Sequence, residues 1–499
     1  MEKNRWFNFF RGKTKPSDKV DVSKGSLFSN DQKQDSFKKI LSWQFHDGVP
    51  RQERDLVVGF DIGSACSKVV IQDQNIKKAY AVSFERFGSK NNKYLLPTLV
   101  FVNNDGKLGL KSGESEQRNL KVNFMENPDQ EIFKLKNISK VVTVRDMLAA
   151  YVGLALIEVR AWFENNKRKD YSHIKIEWQL NIGLPSLSYD DQNLLKNFKL
   201  VALAGWNISL LTGDEVSLSI VKSAIKMAEK QLGENTSNED EGQIHPELIG
   251  PIPEIIAEVL GYVNSPLRQN GMHMLVDVGA STLDVSTFIL HSQGEEDVYS
   301  ILWPDVQPLG AYVLHQRRIK ESSKLFQKKI ENLECLCDGI SPLPDIRQYL
   351  PEPCSDDYEC VGLCDSHLLE ECSRNIRSVI RITKERRNPL SAAWTIGLPV
   401  FLCGGGSKIE LYKSIFPHAA DKLAVTKFGG FEIKNLPKPT NIEADDLPVA
   451  DYHRIAVAYG LSFSGFDIGK IIPPRDIKDL EWQPVIRDID RFFVNKDMA

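Results

Sequence analysis

The stretch VVGFDIGSACSKVVI, residues 57–71, interrupts a run of β-branched and apolar residues with an aspartate, a glycine and small side chains. It reads as strand, turn, strand. Gly63 is expected to make the turn by adopting positive φ, which glycine does without steric cost. Asp61 then lies at the hairpin tip. Such a tip is either a structural bend or a place where backbone amides approach an anion, and this stretch alone fits both.

The pattern occurs twice. HMLVDVGASTLDVSTFIL, residues 273–290, again sets Asp-x-Gly before small hydroxylated residues and a second strand. Asp61 and Asp277 are 216 positions apart (277 − 61), each in its own domain-sized segment. Two small-residue hairpins facing each other can grip a polyphosphate, because only tiny side chains let backbone N–H groups reach phosphate oxygens. Ser64 and Thr282 can add hydroxyl donors. Asp61 and Asp277 would repel phosphate directly, so they are expected to hold a hydrated Mg²⁺ through water. A third element, FLCGGGSKIELY at 401–412, places Gly404, Gly405 and Gly406 between a strand and a helix start, with Lys408 following. It reads as a flat surface for a base or sugar, or as a simple strand-to-helix turn. Neither the GxxxxGK[ST] nor the GxGxxG phosphate loop is present.

The remainder of the 499-residue chain fits an α/β protein large enough for two domains. It is 42% hydrophobic and 26% charged, with a net charge of −4, so no basic field favours nucleic acid as a partner. No apolar run of about eighteen residues is present and no secretory leader is read; no transmembrane segment and a cytoplasmic location are expected. Residues 1–54 carry twelve Lys or Arg against seven Asp or Glu and read as a flexible basic tail. Its apolar pieces, RWFNFFRGK (5–13) and SFKKILSWQF (36–45), either bind a partner or membrane surface or fold back on the body. Helices are expected at 144–164, 191–205 (ending at Gly205), 253–263, 365–387 and 453–463, and the strand at 174–185 is closed by Pro185. LVFVNNDGKLGL reads as a hairpin turning at NNDG.

Taken in order, these elements resemble the actin, sugar-kinase and heat-shock ATPase superfamily, and most closely the nucleotide-binding domain of DnaK-type chaperones. VVGFDIGSACSKVV resembles the family's first phosphate loop, MLVDVGASTLDVSTF its second, VFLCGGGSKIELY its adenosine loop and RIAVAYGL its closing helix. LPTLVFVNNDGKLGLKSGESE (96–116) and NIGLPSLSYDDQNLLKNFKLVALAGWNISLL (181–211) resemble further family segments, so the likeness spans roughly residues 55–470. It implies a two-lobed actin-like ATPase fold built from duplicated ribonuclease-H-like domains. Lobe I is 55–266, lobe II with a Cys-rich insertion 267–451, a closing helix 452–470 and a C-terminal tail 471–499. The implied cofactors are ATP and Mg²⁺.

By position, the resemblance assigns Asp61 and Asp277 to the hydrated metal. Gly63, Ser64 and Ala65 fall in the first phosphate loop, and Gly279, Ala280, Ser281, Thr282 and Asp284 in the second. Gly404, Gly405, Gly406 and Lys408 fall in the adenosine loop. Glu254, eight residues before Tyr262, matches the glutamate that places metal and water; Glu258 is its alternative. Lys121 is the candidate for the lysine near the γ-phosphate, and RITKERR (381–387) offers cations for the base or a solvated helix face. The second hairpin has Ala280 and Ser281 where the family has a glycine run, which implies slow hydrolysis or binding without turnover. About thirty residues follow the closing helix, too few for the chaperones' peptide-binding domain. The expected activity is therefore a slow ATPase acting as a nucleotide-dependent switch for an unidentified protein partner, co-chaperone-like or operon-encoded. An actin-like filament former and a scaffold without turnover are the alternatives.

Six of the eight cysteines, Cys335, Cys337, Cys354, Cys360, Cys364 and Cys372, crowd one segment. They are either zinc ligands or reduced thiols, since the CxC and C-x5-C-x3-C spacings lack paired CxxC motifs. Cys66 and Cys403 lie in the candidate nucleotide loops.

Overall fold

The computed structural model describes residues 42–87, 93–134, 141–210, 216–234, 244–326, 343–349 and 359–480. The fold is mixed α/β. Five strands form the body of a first sheet: β1 (Gln52–Asp61), β2 (Cys66–Asp73), β3 (Lys78–Ala81), β4 (Ile174–Leu184) and β5 (Ile249–Pro253). They are ordered β5-β4-β1-β2-β3, with β1-β2-β3 an antiparallel meander and β4 and β5 parallel to β1. A second sheet contains β6 (Gly271–Val278), β7 (Leu283–Gln293), β8 (Glu296–Gln307), β9 (Leu398–Cys403) and β10 (Phe431–Lys434). Its order, β10-β9-β6-β7-β8, repeats the first: β6-β7-β8 is the meander, and β9 and β10 run parallel on the far side of β6. Strand β11 (Lys470–Ile472) extends this sheet beyond β8, so Ile471 and Ile472 belong to the fold and not to a tail.

Strand pleat sorts each sheet's residues onto two faces. On β1, Leu56, Val58 and Phe60 join a core formed with helices α1 (Leu120–Glu126), α2 (Val144–Tyr171), α3 (Gln192–Ser209) and α4 (Leu218–Glu234). On β6, Met272, Met274, Val276 and Val278 pack with α7 (Glu359–Ile382) and α8 (Glu410–Leu423), and Leu314 of α6 (Ala311–Phe326) joins the same core. The intervening faces share a third core with α5 (Glu254–Val263) and α9 (Ala456–Leu461). Those two helices touch backbone to backbone. A Cβ at Gly460 would lie 1.7 Å from the Ala257 carbonyl oxygen, and one at Gly59 of β1 would lie 2.3 Å from that of Ala458.

Several sequence expectations change here. The helix begun at Gln192 does not stop at Gly205 but runs on to Ser209. Gly205 serves close packing instead: a Cβ there would meet Val152 Cγ1 at 2.3 Å. The expected helix 453–463 is α-helical only over Ala456–Leu461 and is preceded by a 3-10 turn, Val449–Arg454. Residues 42–54 belong to the fold rather than to a tail. Trp43 is fully buried, stacked on Trp206 (4.5 Å, 17°) and edge-on to Trp178, and its Nε1 donates to Ser209 Oγ at 2.9 Å. Burying an indole with its N–H satisfied favours docking of this segment on the body. The first apolar piece, 5–13, and the start of the second lie outside the described residues. The RITKERR stretch anchors neighbours: Thr383 shares a 2.6 Å hydrogen bond with Thr287, and Arg387 donates to the Pro474 carbonyl and pairs with Asp479.

Candidate functional site

Pleat parity carries both hairpin aspartates to the same side. Asp61 shares its face of β1 with Gly59, against α9, and Asp277 shares its face of β6 with Leu275, in the core formed with α5 and α9. The two turns therefore open into one cavity, whose empty space with its solvent-open mouth included is about 940 Å³. Its lining includes Asp61, Gly63, Ser64 and Ala65 from the first hairpin, Asp277, Gly279, Ala280, Thr282 and Asp284 from the second, and Gly404 and Gly405 from the glycine turn. Lys121 and Glu254 are also there.

Both turns are held by close backbone contacts, though not in the expected way. Neither Gly63 nor Gly279 has positive φ. Glycine is needed at 63 because a Cβ would lie 2.3 Å from the Cys66 carbonyl oxygen. At Gly279 the nearest atom is Thr282 O at 3.4 Å, and the turn is tied to the start of α6 by Ala311 N–H donating to Gly279 O (3.0 Å) and Tyr312 N–H to Ala280 O (2.7 Å). Gly404 does have positive φ, +80°, and a Cβ there would fall 1.9 Å from Asp277 Oδ1. The glycine turn is thereby docked on the end of β6, with Gly406 N–H donating to Val278 O at 2.9 Å.

Other assigned residues fall outside the cavity lining. Gly406 faces Val278, where a Cβ would meet Cγ1 at 2.4 Å. Ser281 is buried beneath the second turn, next to Gly310. Lys408 is exposed and pairs with Asp451. Of the cysteine cluster, Cys335, Cys337 and Cys354 lie outside the described residues, and Cys360 and Cys364 are placed only as backbone positions of α7. Cys372 is buried in the core of the second sheet.

The charges in the cavity are unevenly partnered. Asp61 faces Lys68 across β1–β2, and Lys68 Nζ lies 2.9 Å from Asp61 Oδ2. Burial disfavours the Lys68 ammonium, yet the Asp61 carboxylate more than offsets this and the pKa is raised. Lys121, on the first turn of α1 and buried, pairs with Glu254 at the N-terminus of α5. Burial raises the Glu254 pKa; Lys121 opposes this and Asp61 reinforces it. In the second hairpin the residue facing Asp277 is Asp284. Burial, then the neighbouring Glu254, pushes Asp277 up to about 7. Asp284 is raised well above the usual range by burial and by Asp277. Asp277 Oδ1 and Asp284 Oδ1 are both buried with no hydrogen-bond partner. Below them Glu258, raised by burial and Asp277, accepts a hydrogen bond from the buried Cys403 thiol.

Sequence reading missed three ionisable residues that line the cavity: Lys68, His453 and Arg454. Lys68 was legible, because a residue seven beyond Asp61 across this turn is its register partner. His453 and Arg454 carry no local signal, since a 3-10 turn far along the chain brings them in. Burial, then Lys408 and Arg454, lowers the His453 pKa to about 4, so its ring is neutral near pH 7.

Five carboxyl groups thus share the cavity with three basic side chains, Lys68, Lys121 and Arg454. That balance repels a bare anion and attracts a cation, or an anion carrying one. The oxygen-rich donor set suits a hard divalent ion. Among the described residues no three Asp, Glu, His or Cys side chains converge to hold an ion directly. No described helix is long and apolar enough to cross a membrane. No protein-family model and no curated protein matches the chain.

Proposed function

We propose that this chain is a DnaK-like ATP-binding protein with a two-lobed, actin-like architecture that closes on Mg²⁺–ATP and acts as a slow, nucleotide-dependent switch for a partner protein. The observation that carries the reading is the convergence of two Asp-x-Gly turns and one glycine turn on a single acidic cavity. The repeated strand order of the two sheets supports a duplicated ribonuclease-H-like plan.

In this reading Gly63, Ser64, Ala65, Gly279, Ala280 and Thr282 offer small side chains and backbone donors to the phosphates. Asp61, Asp277 and Asp284 would hold the hydrated metal when it is bound. When bound, Mg²⁺ would neutralise phosphate charge and align the terminal phosphoryl group. Glu254 orients the attacking water, and Lys121, held in place by Glu254, approaches the terminal phosphate. Phosphoryl transfer needs mostly positioning and charge stabilisation, which fixed side chains supply. Ala280 and Ser281 leave the second turn less open than a glycine run would, which favours slow turnover.

Calorimetry with Mg²⁺–ATP, followed by phosphate release, tests this directly. Binding should be saturable, Mg²⁺-dependent and abolished in Asp61→Ala, with slow phosphate release. Binding with no release over hours would replace the ATPase with a nucleotide-binding scaffold. ATP-dependent filaments in sedimentation would favour an actin-like role. No binding at millimolar ATP would sink the proposal.

A further inference from the structure

We propose that Arg454 is a phosphate-binding residue, donating from its guanidinium to a phosphate group lying across the Gly404–Gly405 turn. This rests on the nucleotide reading of the cavity and adds a residue to it.

Three basic side chains reach the cavity, and two are committed: Lys68 to Asp61 and Lys121 to Glu254. Arg454 lines the same cavity, partly buried, with no hydrogen bond or ion pair to any described residue. The acid three positions before it, Asp451, is taken by Lys408. Its Nη2 lies 3.7 Å from where a Cβ on Gly405 would be, so the guanidinium lies over a glycine that leaves room beside it. Its charge is also felt at Lys68, where it opposes the ammonium, so two cations face one part of an otherwise acidic cavity. The position is fixed by the fold, because Arg454 ends the 3-10 turn that leads into α9, and α9 is packed backbone to backbone against β1 and α5.

An uncommitted guanidinium over a glycine turn matches a phosphate. Its planar fork gives two parallel N–H donors to two phosphate oxygens, which a lysine ammonium cannot do. Adenosine has no such oxygens, so the contact separates phosphorylated nucleotides from the nucleoside.

The test compares wild type, Arg454→Gln and Arg454→Lys by calorimetry with Mg²⁺–ADP, Mg²⁺–tripolyphosphate and adenosine. Arg454→Gln should weaken both phosphate ligands about tenfold to a hundredfold and leave adenosine unchanged, which also shows the variant is folded. Arg454→Lys should restore part of the loss. Unchanged phosphate binding in Arg454→Gln would overturn the assignment while leaving the nucleotide site standing. A parallel loss of adenosine would overturn it in favour of a base contact. If wild type binds none of the three ligands, the nucleotide reading fails and the assignment goes with it.

Discussion

The two hairpins share a motif and a topology but differ in charge. In each, the aspartate faces the residue seven positions on across an antiparallel pair: Lys68 opposite Asp61, and Asp284 opposite Asp277. The first hairpin is electrostatically closed, with a buried acid holding a mostly buried base. The second is open, with two acids face to face, each with an orphaned oxygen and a raised pKa. One register position therefore decides which half of the cavity holds a paired acid and which holds two acids face to face.

The sharpest way to break this contrast is to remove one aspartate at a time. Asp61→Ala strands Lys68 as an uncompensated buried charge and should destabilise the protein by about 3 kcal/mol in denaturant titration. Asp277→Asn should do the reverse. The folded state holds that carboxyl up near 7, so between pH 4 and 7 it binds more protons than the unfolded chain and stability falls as pH rises. The variant should be more stable than wild type by about 2 kcal/mol at pH 7, with the gain vanishing toward pH 4. A stabilising Asp61→Ala, or a pH-independent gain in Asp277→Asn, would erase the distinction.

The turns themselves should differ next. Gly63→Ala forces a Cβ against a backbone carbonyl at 2.3 Å and should cost about 2 kcal/mol, whereas Gly279→Ala, with 3.4 Å available, should cost under about 0.5 kcal/mol. Equal melting shifts would mean the two turns yield alike. The smallest effect is expected at Lys408. Its pair with Asp451 is exposed, so Lys408→Ala should change stability by less than about 0.5 kcal/mol and leave nucleotide affinity unchanged.

The α/β class and the strand–turn–strand segments were legible because a period of two is a local signal; VVGFDIGSACSKVVI contains both strands and their turn. The same parity implies that Asp61 and Asp277 leave the faces that carry Phe60 and Val276. What stayed hidden depends on contacts between distant positions. Gly205 reads as a helix stop until α2 is laid across it, and Trp43 reads as part of a tail until Trp178 and Trp206 enclose it. Lys408 sits beside three glycines in the sequence, yet the turn sends it outward while Arg454 comes in from a separate segment. Gly63 was assigned the right place for the wrong reason: it is small because a carbonyl is close, not because φ is positive.

The glycine contacts around α9 set a timetable for biosynthesis. Gly59 meets Ala458 across 399 intervening steps of the chain (458 − 59). At about 5–20 residues per second, a ribosome needs roughly 20–80 s to deliver the second partner after the first. Through nearly all of that interval the face of β1 that carries Gly59 lacks α9, and the cavity lacks Arg454. The cavity is therefore among the last parts of the fold to be completed during synthesis.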